Sequence, residues 1–265
     1  MLLAIDIGNT TIALAAVHKG KVKAVQRMDT PPSGGDPRVL VSRLNKALAV
    51  FRKKGYIFNK VVLCSVVPKI LTVVERTIVK SMGFEPKVVG RDIIVPIKNR
   101  YKDPKQVGQD RLVGAYAALR LYGKPACRPG RPLVVIDLGT AITFDVVSAR
   151  GEYLGGAIVP GLRLSAESLF LKTALLPKIV LKAPGDIIGK TTEESMLSGL
   201  FYGYGALCQG MVDLLTRSIA ASGRVRPKVV MTGGHTRLMK KFVSPKIRII
   251  DENLVFKGMA LLAPF

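Results

Sequence analysis

The chain has 265 residues, and its 41 Lys plus Arg against 18 Asp plus Glu give a formal net charge of +23. Hydrophobic residues at 48% and charged residues at 22% describe a globular chain, not a disordered one. Its 26 Gly and 16 Pro exclude collagen-like and low-complexity chains, and its length excludes dependence on a disulfide or metal staple.

In chain order, residues 2–6, 12–18 and 21–27 read as a meander of strands, with His18-Lys19-Gly20 as a hairpin turn. Thr30 to Pro37 is a Pro/Gly loop. Val39, Leu40, Leu44 and Leu48 have helical spacing and predict a helix over 38–54. A buried strand follows at Val61 to Ser65, then a helix over 69–82 and a strand at Lys87-Val88-Val89. Residues 109–122 form a helix. The stretch from Tyr122 to Pro132 holds Gly123, Pro125, Pro129, Gly130 and Pro132 and is the linker. Beyond it, strands are expected at 133–137, 142–147 and 152–159, and Pro160-Gly161 opens a loop or helix N-terminus. A long helix runs from Thr192 to about Ser222, its glycines near 199–210 small enough for close helix packing. A strand at Lys228 to Met231, ending in Thr232-Gly233-Gly234, a strand at 247–250 and a helix at 254–263 complete the chain.

The strongest organising signal is an internal repeat. Ile5-Asp6-Ile7-Gly8-Asn9-Thr10 is echoed by Ile136-Asp137-Leu138-Gly139-Thr140-Ala141, an offset of 131 that holds without a gap to Gly20 and Gly151. A two-fold repeat at half the chain length implies duplication of one domain. Strands followed by helices, twice over, predict an α/β fold with a mixed sheet in each half.

Asp-x-Gly at a strand end suits phosphate. The glycine permits positive φ and close backbone approach, the turn N–H groups with Asn9, Thr10 and Thr11 cradle anionic oxygens, and the Asp can hold Mg²⁺. Two copies plus Thr232-Gly233-Gly234 point to a nucleotide clamp between two domains. In the second copy, period-two alternation puts Thr143 and Asp145 on one strand face, either as a ligand site or as a satisfied buried network. Gly108-Gln109-Asp110-Arg111 opens a helix. Its Asp110 reads as a general base for a hydroxyl with Arg111 as an anion contact, or as a helix-capping acid.

Other chemistry is poorly served. Cys64, Cys127 and Cys208 are an odd, widely spaced set, which suits buried thiols in a reducing compartment. His18 and His235 are the only histidines, so there is no Cys/His metal cluster and no ready Ser-His or Cys-His nucleophile. Met1 to Asp6 lacks a basic n-region and is not a signal peptide. No apolar run of about 18 residues exists, so no membrane partner is expected and the chain is placed in the cytoplasm. The charge invites an anionic partner. It is spread along the chain, with short runs at Arg52-Lys53-Lys54 and Arg224 to Lys228, which supports specific nucleic-acid recognition only weakly.

These residues together resemble the type III pantothenate kinases, of the actin, hexokinase and Hsp70-like ATPase superfamily. The similarity covers the whole chain. It runs through Asp6 to Thr11, Tyr101, Gly108 to Arg111, Asp137 to Asp145, and Tyr153 to Ile158. It continues through Pro160-Gly161, Thr173 with Leu176-Pro177, Gly189 to Met196, Thr232 to Gly234, and Asn253 to Gly258. The resemblance implies two duplicated ribonuclease H-like domains, 1–124 and 125–265, each a mixed β-sheet flanked by helices, with the nucleotide cleft between them. It implies transfer of phosphate from ATP to pantothenate, giving 4′-phosphopantothenate in coenzyme A biosynthesis, with Asp110 as general base. Asp6, Ile7, Gly8, Asn9, Thr10, Thr11, Thr140 and Gly233 would hold ATP, Asp6 beside Mg²⁺. Asp137 would bind K⁺ or NH₄⁺. Tyr101, Gly108, Gln109 and Arg111 would line the pantothenate site. Thr192 would reach pantothenate across a homodimer interface, and it fits a helix N-cap with Glu193 and Glu194 following.

The chain departs from the family pattern at Gln109 (usually Ala), Asp103 (usually Asn) and Thr191 (commonly Asn). Two other classes share the architecture: a non-catalytic transcription accessory factor that binds nucleic acid, and another small-molecule kinase of the superfamily.

Overall fold

The computed structural model describes residues 1–32, 35–123, 130–220, 226–245, 247 and 249–263. It divides into two compact units. Unit one comprises residues 1–97, 103–117 and 253–265; unit two comprises 98–102 and 118–252. Most of the linker stretch Tyr122 to Pro132, Cys127, position 222 and part of the basic run Arg224 to Lys228 lie outside the described residues.

In unit one, β1 (Leu2–Ile7), β2 (Thr11–His18) and β3 (Lys21–Asp29) form an antiparallel meander. Lys19 (φ 47°) and Gly20 (φ 72°) make the two-residue turn between β2 and β3, the left-handed pair that matches strand twist. After α1 (Pro37–Lys53), β4 (Lys60–Ser65) joins β1 in parallel, and after α2 (Pro68–Met82), β5 (Lys87–Val88) joins β4 in parallel. Among the described residues the order is β3-β2-β1-β4-β5. β1 is nearly continuous apolar sequence because helices cover it. Leu40, Leu44, Leu48 and Phe51 of α1 and Val74 and Ile78 of α2 pack with Leu3, Ile5, Ile7, Ile12 and Leu14 of the sheet. Of two later helices, α3 (Gln109–Tyr122) is shared, only residues 109–117 lying in unit one, whereas α7 (Leu254–Leu262) lies wholly there. Their approach is set by Gly258, where a Cβ would meet Val113 Cγ1 at 2.6 Å. The last segment of the chain thus buttresses the helix that carries Asp110.

Unit two repeats the scheme. β7 (Leu133–Leu138), β8 (Ala141–Val147) and β9 (Glu152–Pro160) form a meander, β10 (Lys228–Thr232) runs parallel to β7, and β11 (Ile249–Ile250) parallel to β10. A short strand, β6 (Lys98–Asn99), adds to the outer edge of β9, giving the order β11-β10-β7-β8-β9-β6 among the described residues. α4 (Leu162–Lys172) and α5 (Thr192–Ala220) cover the core with Leu162, Leu197, Leu200 and Phe201, and α6 (Thr236–Met239) follows β10. Both units are therefore mixed α/β sheets flanked by helices.

The pairing register refines the repeat. Ile7 pairs with Ile12, leaving Gly8 to Thr11 between them, whereas Leu138 pairs with Ile142, leaving only Gly139 to Ala141. At the other end His18 pairs with Lys21 around a two-residue turn, whereas Ser148 donates to Glu152 around three residues. The two length changes cancel, so the sequence offset stays gapless while β8 is slipped by one residue. A one-residue slip exchanges strand faces. Thr143 and Asp145 thus leave the positions of core-facing Ile12 and Leu14, and Ile142 and Phe144 take the core instead.

The α5 glycines behave differently from expectation. Only Gly205 has a close neighbour: a Cβ there would overlap Phe242 O, while Gly199, Gly203 and Gly210 face open space. Among these four, the close approach is of α5 to the 240–243 turn, not to another helix.

Candidate active site

In unit one, Asp6 occupies the register position beside Ala13 on β2 and Cys64 on β4. The loop that follows is braced by Thr30, whose hydroxyl donates to Gly8 O (2.7 Å) and whose N–H donates to Thr10 O (2.9 Å). Gly8 N–H donates to Thr11 O (3.0 Å), and Asn9 and Thr10 are exposed at the tip. Neither Gly8 nor Gly139 has positive φ, which corrects the expectation for the Asp-x-Gly turns. Gly8 is confined by closeness instead, a Cβ there lying 3.2 Å from Thr11 O, whereas one at Gly139 would make ordinary contact at 3.4 Å from Ala141 O.

Asp110 stands in the first turn of α3. Its Oδ1 accepts the N–H of the very next residue, Arg111 (2.8 Å), whereas an N-cap accepts from two or three residues on. The carboxylate folds back over Gly108, where a Cβ would lie 2.5 Å from Oδ1 and 3.4 Å from Val66 Cγ1. Asp6 lies in register beside Cys64. The thiol is fully buried, and burial first, then the charges of Asp6 and Asp110, push its pKa well above the ordinary value. Cys64 therefore stays a neutral thiol beside Asp6 in the sheet. Gln109 packs its side chain on the Gly90 turn (φ 87°), where a Cβ would lie 2.6 Å from Gln109 Cδ.

In unit two, Asp137 pairs in register with Thr143 and Thr232. Its loop is held between two glycine turns. A Cβ at Gly161 would overlap Thr140 O, and one at Gly233 (φ 100°) would overlap Asp137 Oδ1. Gly161 N–H donates to Thr140 O (3.0 Å) and His235 N–H donates to Leu138 O (3.1 Å). Burial holds the His235 imidazole below its ordinary pKa, opposed by the carbonyls of Leu138 and Gly139. Asp145, 2% exposed, accepts from Thr143 Oγ1 (2.9 Å) and Tyr153 OH (2.8 Å), a satisfied buried network.

Tyr101 also belongs to unit two, stacked over Gly155 (φ 113°), where a Cβ would lie 3.2 Å from its ring. Thr192 begins α5 but does not cap it. The cap is Thr191, whose Oγ1 accepts Glu194 N–H (3.2 Å) while Glu194 Oε2 accepts Thr191 N–H (3.1 Å), a capping box. Thr191, where the family commonly has Asn, therefore keeps an N-capping residue type, and the exposed Thr192 side chain points elsewhere than the cap.

Asp6 to Thr11 and Gly108 to Arg111 are thus gathered in unit one, and Tyr101, Asp137, Thr140, Thr192 and Gly233 belong to unit two. Sequence reasoning missed Thr30, Cys64 as the neighbour of Asp6, and Tyr153 as the partner of Asp145. No local pattern marks them, since each is brought in by strand pairing.

The fold recurs in solved structures. A candidate Baf family transcriptional activator from Campylobacter jejuni aligns with a TM-score of 0.56 and 17% identity, over 98% of this chain and 96% of that one. The ethanolamine utilization protein EutJ from Carboxydothermus hydrogenoformans aligns with a TM-score of 0.52 and 15% identity, over 98% and 89%. Sequence similarity goes further. The profile of the type III pantothenate kinase family matches residues 2–214. A type III pantothenate kinase from Persephonella marina is 41% identical over 246 residues, 91% of this chain and 90% of that protein. These sequence matches place the chain among the phosphotransferases. The chain belongs to the type III pantothenate kinase family, a kinase that phosphorylates pantothenate with ATP in coenzyme A biosynthesis.

Proposed function

We propose that Asp110 is the general base of this kinase. The observation that carries the reading is the Asp110 carboxylate folded back over Gly108 and held by the Arg111 N–H at the start of α3. As the primary hydroxyl oxygen of pantothenate bonds to the γ-phosphorus of ATP, the bond from that phosphorus to the departing ADP oxygen breaks. The hydroxyl proton passes to the Asp110 carboxylate. Such transfer depends on positioning and charge neutralisation more than on covalent chemistry. Asp110 is positioned by Gly108 and by the Arg111 N–H. Arg111, Gly108, Gln109 and Tyr101 serve pantothenate.

Asp6 through Thr11, Thr140 and Gly233 serve ATP. Asp6 would hold Mg²⁺ and Asp137 K⁺ or NH₄⁺, and these ions supply positive charge to the triphosphate. Among the described residues no three His, Cys, Asp or Glu side chains form an all-protein cage. Single carboxylates on tight turns suit ions completed by water, carbonyl and phosphate oxygens. The lack of a Cβ at Gly233 leaves room for Asp137 Oδ1, which would be the ligand to the monovalent ion. The matching strand orders and the 131-residue offset support duplication of a ribonuclease H-like domain, as 1–124 and 125–265.

The enzyme acts as a homodimer in this reading. Phe170, Leu171, Leu175, Val180, Ile187 and Ile188 are exposed large hydrophobics crowded into one short stretch, with Leu175 91% exposed. Apolar surface of that kind marks an interface. It leads directly to Thr192, which would reach the pantothenate held by a second copy.

The test is a coupled assay of ADP release with pantothenate, with K⁺, NH₄⁺ or no monovalent cation. The reading expects release that needs pantothenate and K⁺ or NH₄⁺, and an Asp137→Asn variant whose response to K⁺ is lost. Release indifferent to the cation, with Asp137→Asn unaffected, would contradict the ion assignment.

A further inference from the structure

A cavity of about 790 Å³ opens in unit two between α5 and the starting ends of β7 and β10. Its size suits a small-molecule ligand. Gln209, Asp213 and Arg217 stand at i, i+4 and i+8 on α5 and line one side; Arg131, Arg226 and Lys228 line the other. Four cations thus face one carboxylate. Among the described residues no carboxylate pairs with Arg131, Arg217 or Arg226. Lys228 Nζ donates to Tyr122 O (2.7 Å), which fixes its position but leaves its charge uncompensated. Gln209 Nε2 donates to Asp213 Oδ2 (2.8 Å), while Gln209 Oε1 is buried with no hydrogen-bond partner. A buried acceptor without a donor is costly and calls for one.

We propose that this cavity binds a phosphorylated small molecule. The unpaired guanidinium groups supply the planar forks that recognise phosphate, and a ligand hydroxyl supplies the donor that Gln209 Oε1 lacks. The site is separate from the kinase chemistry. Lys228 and Thr232 are at opposite ends of β10, and four residue steps at about 3.3 Å each separate them by roughly 13 Å.

The test is calorimetric titration of inorganic pyrophosphate into the full chain with the ATP site filled by a non-hydrolysable ATP analogue. The proposal expects one further pyrophosphate site in the wild type. Arg217→Ala/Arg226→Ala should weaken it at least tenfold, with kcat and KM for ATP and pantothenate unchanged. Gln209→Glu, which sets a carboxylate inside the cavity, should weaken it likewise without touching the arginines. Absence of the further site in the wild type, or equal affinity in all three proteins, would overturn the proposal. So would retention of a DNA duplex, lost in the arginine variant, in place of pyrophosphate binding.

Discussion

Single residues in this chain matter through their neighbours. Gly108 is the clearest case, because its missing Cβ is the space into which the Asp110 carboxylate folds. Gly108→Ala should push that carboxylate out of place while leaving backbone geometry accessible, since Gly108 is not in the left-handed region. We expect kcat to fall more than tenfold, with thermal stability changed by no more than about 1 kcal/mol. Steady-state kinetics beside a melting curve would separate the two. Asp145 illustrates the opposite outcome. Its spacing with Thr143 looks like a ligand site in the sequence, yet Thr143 and Tyr153 satisfy it inside the unit. Period-two spacing shows that two side chains share a face, but it does not show what covers that face.

At the level of elements, hydrophobic patterning carries most of the fold. The helix expected over 38–54 is Pro37–Lys53, and the strand expected over 133–137 is Leu133–Leu138. What patterning does not carry is register. The gapless 131-residue offset conceals two compensating turn lengths, and only pairing reveals that β8 is slipped by one residue. Short pieces also escape. β6 has two residues and α6 four, too few for any period, and both are fixed by tertiary contacts. The α5 start shows how adjacent residues divide labour. Thr191→Ala should remove the capping box and cost about 0.5–2 kcal/mol, read as a lower melting temperature. Thr192→Ala should leave the melting temperature alone and raise KM for pantothenate. The opposite pattern would return the cap to Thr192 and remove its substrate role.

For the whole molecule, the exposed apolar stretch and the charge are the two features that the fold does not use internally. Leu175→Asp with Ile188→Asp should convert a dimer to a monomer by light scattering and raise KM for pantothenate, because Thr192 would lose its second copy. A dimer that persists in this variant would remove the interface from residues 170–188. The charge of +23 remains larger than any one site needs. The arginine-lined cavity gives part of it a local purpose, and a positive field also favours capture of ATP and the pantothenate carboxylate. Among the described residues no helix is long and apolar enough to cross a membrane.

In the proposed reaction Asp110 takes the proton during phosphoryl transfer. Asp110→Asn keeps the size and the acceptor oxygen for the Arg111 N–H but cannot accept that proton. Its kcat should fall by about 10²–10⁴-fold, the usual worth of a positioned base, with Kd for ATP and for pantothenate within about threefold of wild type. A variant that turns over at near-normal kcat with the same Kd values would contradict the assignment.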